Sequence, residues 1–161
     1  MNAPDSNAVL IVEDYEDDAR LLQLMLGNAG VLNPTQVCFS AEDAIKYLKA
    51  VPLLSNRAGF PLPSIIFVDL KLPGIDGFEL LRWLRARDEF KSTFIVVLSA
   101  AGDLSSIQAA YSLGANTFLV KPCRAADLEN LILAYPNLWS RAIFPMPPEG
   151  PPASPPSPPP G

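Results

Sequence analysis

SIIFVD, residues 64–69, is the stretch that decides how this chain is read. An apolar run of this length is too short for a helix, and its composition suits a strand buried on both faces. It ends abruptly on Asp69. FELLRWLRAR (78–87) follows and carries helical periodicity. The same strand-then-helix pairing recurs in both directions. Upstream, AVLIV (8–12) is a second short apolar run. The segment after it places Leu22, Met25, Leu26 and Ala29 at i, i+3, i+4 and i+7, an amphipathic helix ending near Gly27–Gly30. A strand at about 35–39 precedes a helix capped by Ser40, with Ala41, Ala44, Ile45 and Leu48 on one face. Downstream, FIVVLS (94–99) pairs with a helix over 103–114, Asp103 being its N-cap and Gly114 its stop. TFLV (117–120) pairs with a helix over 124–135 that presents Leu128, Leu131, Ile132 and Tyr135 and ends at Pro136.

Strands alternating with helices at this spacing imply βαβ units, hence an α/β, doubly wound parallel sheet covered on both faces. Two segments fall outside the pattern. Residues 50–63 form a long link with three prolines, and residues 145–161 hold ten prolines in seventeen positions. The tail cannot build a core and reads as disordered or polyproline II, either a spacer or a ligand for a polyproline-binding partner. The expected organisation is a short extension (1–6), one folded domain (7–144) and the tail.

Composition narrows the chemistry. The chain has 161 residues, 49% hydrophobic, with a net charge of −5, so a phosphate-backbone binder with a basic face is not expected. No helix-turn-helix pattern follows residue 144, which also argues against direct DNA binding. No apolar run reaches about 18 residues, and the start, MNAPDSN, has no secretory pattern, so neither a membrane span nor export is expected. Cys38 and Cys123 lack metal-ligand spacing and read as reduced structural thiols. With no histidine, any chemistry must run on carboxylates, Lys, Ser and an oxygen-ligated metal.

In open parallel sheets ligands bind at the carboxyl ends of the strands. Here those ends carry Glu13-Asp14, Asp69, Ser99 and Lys121-Pro122. Taken singly, each has an ordinary reading as a helix cap, turn hydroxyl, surface lysine or loop residue. Together they place three acids, a hydroxyl and an ammonium at one edge. Three clustered carboxylates repel, so holding them ionised calls for a cation. Oxygen-only ligands favour a hard ion, Mg²⁺ first. A carboxylate beside Mg²⁺ and a lysine is placed to accept a phosphoryl group, with both cations offsetting charge on its oxygens.

VLIVEDYEDD (9–18), FVDLKLPGIDGFELL (67–81), VVLSA (96–100) and GANTFLVKP (114–122) closely resemble the response-regulator receiver family of two-component signalling. The thirty residues from Asp69 to Ser99 and the twenty-two from Ser99 to Lys121 match that family's spacing, and the resemblance spans about 7–135. It implies a flavodoxin-like (βα)5 receiver fold with strand order 2-1-3-4-5, in a bacterial cytoplasmic phosphoprotein that is not an enzyme. Asp69 resembles the phosphoacceptor. Glu13 and Asp14 resemble the acidic pair for Mg²⁺, Asp14 being the more direct ligand, with Asp69 and the backbone carbonyl of Lys71 completing the set. Ser99 and Lys121 resemble the switch hydroxyl and the phosphoryl-pairing lysine. Phe118 resembles the aromatic switch, although a Phe in a strand is also an ordinary core residue. Pro122 would follow a cis peptide bond. Gly74 and Gly77 would shape the loop between strand three and helix three. The implied donor is a sensor histidine kinase or phosphotransfer protein, and the implied output is protein–protein contact or a phosphorelay.

Three features depart from the common pattern. Lys71 places a second cation beside the site, either pointing to solvent or touching the phosphoryl group. It also occupies the position where a phosphatase of the haloacid-dehalogenase type needs a second acid. Ala101 offers no polar group to an attacking water. The long link, DLKLPG and the Leu138-Trp139 stretch resemble single-domain regulators paired with bacteriophytochrome-type kinases. In that subgroup the region after helix five helps form a homodimer. Trp139, Ile143 and Phe144 would serve there or pack back on their own domain.

Overall fold

A computed structural model describes residues 8–54, 63–100 and 102–141, with backbone only for 51–54. The N-terminal extension, Ala101, Ile143, Phe144 and the proline-rich tail lie outside these residues. The order is β1 (Ala8–Val12), α1 (Glu16–Asn28), β2 (Thr35–Cys38), α2 (Ala41–Leu54), β3 (Pro63–Asp69), α3 (Gly77–Arg85), β4 (Phe94–Ser99), α4 (Leu104–Ser112), β5 (Thr117–Val120) and α5 (Ala125–Ala134). The five strands are parallel, in the order β2-β1-β3-β4-β5.

Side chains on a strand alternate between faces, and the two cores divide accordingly. Leu10, Val12, Ile66 and Val68 join Leu48 of α2, Leu80 and Leu84 of α3 and Ala110 of α4. Val9, Ile11, Ile65 and Phe67 join Leu22 and Leu26 of α1 with Leu128 and Ile132 of α5. β1, β3 and β4 are therefore almost wholly buried and apolar apart from Ser64 and the strand-end Asp69 and Ser99, whereas the edge strands β2 and β5 are partly exposed.

The helix caps work as the sequence implies. Ser40 Oγ accepts the Asp43 N–H at 3.0 Å, and Asp103 Oδ2 accepts the Ser106 N–H at 3.0 Å. Gly114 follows α4 with φ 103°, a left-handed conformation that glycine adopts without strain.

The link expected over 50–63 is shorter than that. α2 continues to Leu54 through Pro52, and Pro63 opens β3. Proline's fixed φ suits a helix, but in a helix interior its missing N–H and the clash of its ring with the carbonyl four residues back kink or break it. Pro52 stands in the last turn, two residues from the end of α2. Residues 55–62 lie outside the described part. A short 3-10 turn, Asp88–Phe90, follows α3. It buries Phe90, whose ring lies 5.8 Å from Trp83.

The segment after α5 packs back on its own domain. Trp139 is 8% exposed, with its ring 6.5 Å from that of Phe67. Asn33 ties the strap down from both sides: its Nδ2 donates to Leu138 O at 3.1 Å, and its Oδ1 accepts the Ser140 N–H at 2.7 Å. Arg141 donates to Ala29 O at 2.8 Å.

Candidate functional site

Sheet register brings the strand ends together. Val12 lies opposite Val68, Asp69 opposite Leu98, and Ser99 opposite Val120. The residues that follow or end these runs therefore face one another across neighbouring strands. The Lys121 N–H donates to Ser99 O at 2.9 Å, closing the β4–β5 end of the row.

Lys121 is the hub. Its Nζ donates to Glu13 Oε2, to Asp69 Oδ2 at 2.8 Å and to Asp18 Oδ2 at 3.2 Å. Burial alone would pull its pKa down. The hydrogen bonds and charges of Asp69 and Glu13 outweigh that and push it up, so Lys121 stays cationic. Glu13 is buried, and burial pushes its carboxyl up to about 7 against the opposing effects of the Lys121 bond and the Tyr15 N–H.

Glu13, Asp14 and Asp69 each offer an oxygen, all within 4.8 Å of one another. Oxygens on opposite sides of a Mg²⁺-sized ion stand about 4.2 Å apart, so this set fits a small hard divalent cation with slight closure. Asp14 is exposed while Glu13 and Asp69 are buried, giving the cluster one open side. The second oxygen of Asp69 accepts the Lys71 N–H at 3.0 Å. The Lys71 side chain is exposed. Ser99 is fully buried at its strand end, yet it lines a cleft of ≈540 Å³ with Asp14, Lys71 and Phe78. Phe118 is half-buried against the α3 side of the core. The Lys121–Pro122 bond is cis.

The loop after Asp69 is held tightly. Gly77 N donates to Leu70 O at 3.0 Å. A Cβ on Gly77 would collide with the Asp69 carbonyl oxygen and lie 2.6 Å from Leu70 Cα. Gly74 has φ 76°, and a Cβ there would sit 2.5 Å from Glu42 Oε1. That same oxygen accepts the Ile75 N–H at 2.9 Å. Glu42 of α2 thus braces the loop from outside the expected residue set, as Asp18 of α1 reaches Lys121. Neither contact has a local sequence signal, since the partners are 33 and 103 residues away.

Both cysteines are free. Burial pushes Cys38 up to about 11 and raises Cys123 as well, so both are protonated thiols near neutral pH. No helix among the described residues is long and apolar enough to cross a membrane.

A flavodoxin-like sheet with an acidic, lysine-bearing carboxyl edge defines a receiver of phosphoryl signals. The sequence profile of the response regulator receiver domain matches residues 9–133, and the chain belongs to that family. It is a phosphoacceptor signalling protein of the two-component type. The chain is 27% identical to response regulator Rcp1 of Synechocystis sp., over 84% of this chain and 90% of that one. The crystal structure of the Mn²⁺-bound form of Rcp1 superposes with a TM-score of 0.65, covering 80% of this chain and 90% of that one at 27% identity. The bacteriophytochrome response regulator AtBRR superposes with a TM-score of 0.70 at 28% identity, covering 85% and 97% of the two chains.

Proposed function

We propose that Asp69 accepts a phosphoryl group from a phosphohistidine of a sensor kinase or phosphotransfer protein, with Mg²⁺ as the physiological cation. The observation that carries this reading is the meeting of Asp69 with Lys121, Glu13 and Asp14 at one sheet edge. A carboxylate oxygen of Asp69 attacks phosphorus, the P–N bond breaks, and the imidazole leaves as the P–O bond forms. Glu13, Asp14, Asp69 and the Lys71 carbonyl would hold the cation, which offsets charge on the phosphoryl oxygens. Lys121 pairs with one phosphoryl oxygen and the Ser99 hydroxyl donates to another. Movement of Ser99 toward the phosphoryl group opens space for Phe118 to turn inward. Lacking a hydroxyl, Phe118 makes this a packing switch. A swing from 1:99 to 99:1 requires about 5.5 kcal/mol of preference.

The same reading covers the remaining organisation. The receiver spans 7–144, the proline-rich tail is a spacer, and the protein acts in a bacterial cytoplasm without turning over a substrate of its own. The Mn²⁺-bound form of Rcp1 supports a divalent ion at the acidic cluster. The likeness to AtBRR supports a bacteriophytochrome-type kinase as donor. A homodimer through the C-terminal region would use exposed groups such as Leu133 of α5, 63% exposed, because Trp139 is already packed. Incubation with acetyl phosphate and Mg²⁺ tests the reading. A hydroxylamine-labile adduct mapped to Asp69 and missing from Asp69→Ala is expected, and no adduct on the wild-type chain overturns it.

A further inference from the structure

An ammonium group has three N–H donors and no acceptor. Lys121 spends all three on carboxylates: Glu13, Asp69 and Asp18. Phosphorylation of Asp69 adds oxygens that also need Lys121, so one of these bonds must yield. The Glu13 side chain is 3% exposed, and breaking its bond would strand a buried carboxylate. Once phosphorylated, Asp69 passes its share of Lys121 to a phosphoryl oxygen, and any closer approach of the ammonium to the phosphoryl group draws on the bonds to Glu13 and Asp18. Asp18 makes the longest of the three contacts and is 48% exposed, so water replaces Lys121 there at little cost.

The position of Asp18 adds direction. It lies in the first turn of α1, four residues past Asp14, and lines a largely apolar cavity of ≈320 Å³ with Glu13, Lys121, Leu21 and Met25. That cavity shares no lining residue with the cleft formed by Asp14 and Ser99. Asp18 therefore reaches Lys121 from the α1 side of that ammonium.

We propose that Asp18 is a positioning residue that restrains Lys121 in the unphosphorylated protein and competes with the phosphoryl group for it. The inference rests on the reading of Asp69 as the phosphoacceptor. Asp18 lowers the affinity of the site for a phosphoryl group by keeping one Lys121 donor occupied.

The test uses the full chain as wild type, Asp18→Ala, Asp18→Asn and Asp18→Glu. Calorimetry measures beryllofluoride binding in Mg²⁺, and phosphoramidate kinetics separate KM from the maximal rate. Asp18→Ala and Asp18→Asn should bind beryllofluoride about fivefold more tightly, with KM lowered by a similar factor and the maximal rate little changed. Asp18→Glu should restore wild-type values. A merely structural role for Asp18 predicts weaker binding on substitution. Unchanged or weaker binding in the Ala and Asn variants overturns the proposal. A wild-type chain that takes up neither reagent overturns the reading of Asp69, and this inference falls with it.

Discussion

Lys121 Nζ lies 2.8 Å from Asp69 Oδ2, although 52 residues separate the two in the chain. The contact joins the end of β5 to the end of β3 across β4, and it supplies the cation that lets an almost buried aspartate stand beside Glu13. Lys121→Ala should slow phosphorylation by small donors about a hundredfold, the usual effect of losing one strong donor to a developing charge. It should also leave Glu13 buried without its partner, destabilising the fold by about 1–3 kcal/mol at pH 8. The folded pKa of Glu13 is raised to about 7 from 4.5. Its charge therefore costs stability as pH rises through that window, and the cost grows once Lys121 is gone. At pH 5 the carboxyl is protonated and the loss should be smaller. Urea unfolding at both pH values measures the difference.

Gly77→Ala should damage the site through the backbone. Its methyl group would meet the Asp69 carbonyl and Leu70 Cα, neither of which can rotate away as a side chain end could. Overpacking of this kind costs about 1–3 kcal/mol, and relief by moving the loop would shift Asp69 itself. A lower denaturation midpoint with unchanged m-value, together with slower phosphorylation, is expected. A variant as stable and as reactive as wild type would mean that the loop has more room than its packing shows.

Glu42→Ala should loosen the same loop from the other side. The Glu42 carboxylate holds Ile75 N–H, and that bond lowers its pKa. With a depressed folded pKa, the brace is present above the ordinary carboxylate range and lost as pH falls through the folded value. Hydrogen exchange at Ile75 should speed up in Glu42→Ala at neutral pH, while Glu42→Gln, which keeps an acceptor oxygen, should protect it partly. Equal exchange in all three proteins would dismiss the brace.

Trp139→Phe and Trp139→Ala separate packing from association. Trp139 is buried against Phe67, and its Nε1 has no hydrogen-bond partner among the described residues. Truncation to Ala should cost about 3 kcal/mol. The Phe variant gives up part of the packing but removes the unpaired N–H, so its cost should stay within about 1 kcal/mol. Gel filtration should give the same oligomeric state for wild type and Trp139→Phe. A change of state would place Trp139 in an interface rather than on its own domain.

The strands, the caps and the row of strand-end groups were readable because each depends on local pattern: a buried parallel strand is a short apolar run, and its last residue points to the ligand edge. The contacts made by Asp18, Glu42 and Asn33 were not readable. Each links residues far apart in the chain, and its existence depends on how α1, α2 and the strap after α5 pack on the sheet. Pro52 misled for a different reason. A proline reads as a stop, yet its fixed φ suits a helix and here the helix runs two residues beyond it.

The acidic cluster makes cation binding depend on pH. Glu13 holds its proton up to about 7 because burial disfavours its charge, and a divalent cation must displace that proton to use the carboxylate. Apparent affinity for Mg²⁺ or Mn²⁺ should therefore rise with pH, by up to about tenfold per unit below 7, and level off above it. The direction follows from the raised pKa. A carboxylate of ordinary pKa would already be ionised at pH 6 and would leave affinity flat across this range. Glu13→Gln removes the titrating group, so its affinity should be lower at pH 8 but nearly independent of pH between 5.5 and 8. Calorimetric titrations at pH 5.5, 6.5, 7.5 and 8.5 on both proteins decide the matter. A flat wild-type profile would show that the cation is held by Asp14 and Asp69 while Glu13 serves only to anchor Lys121.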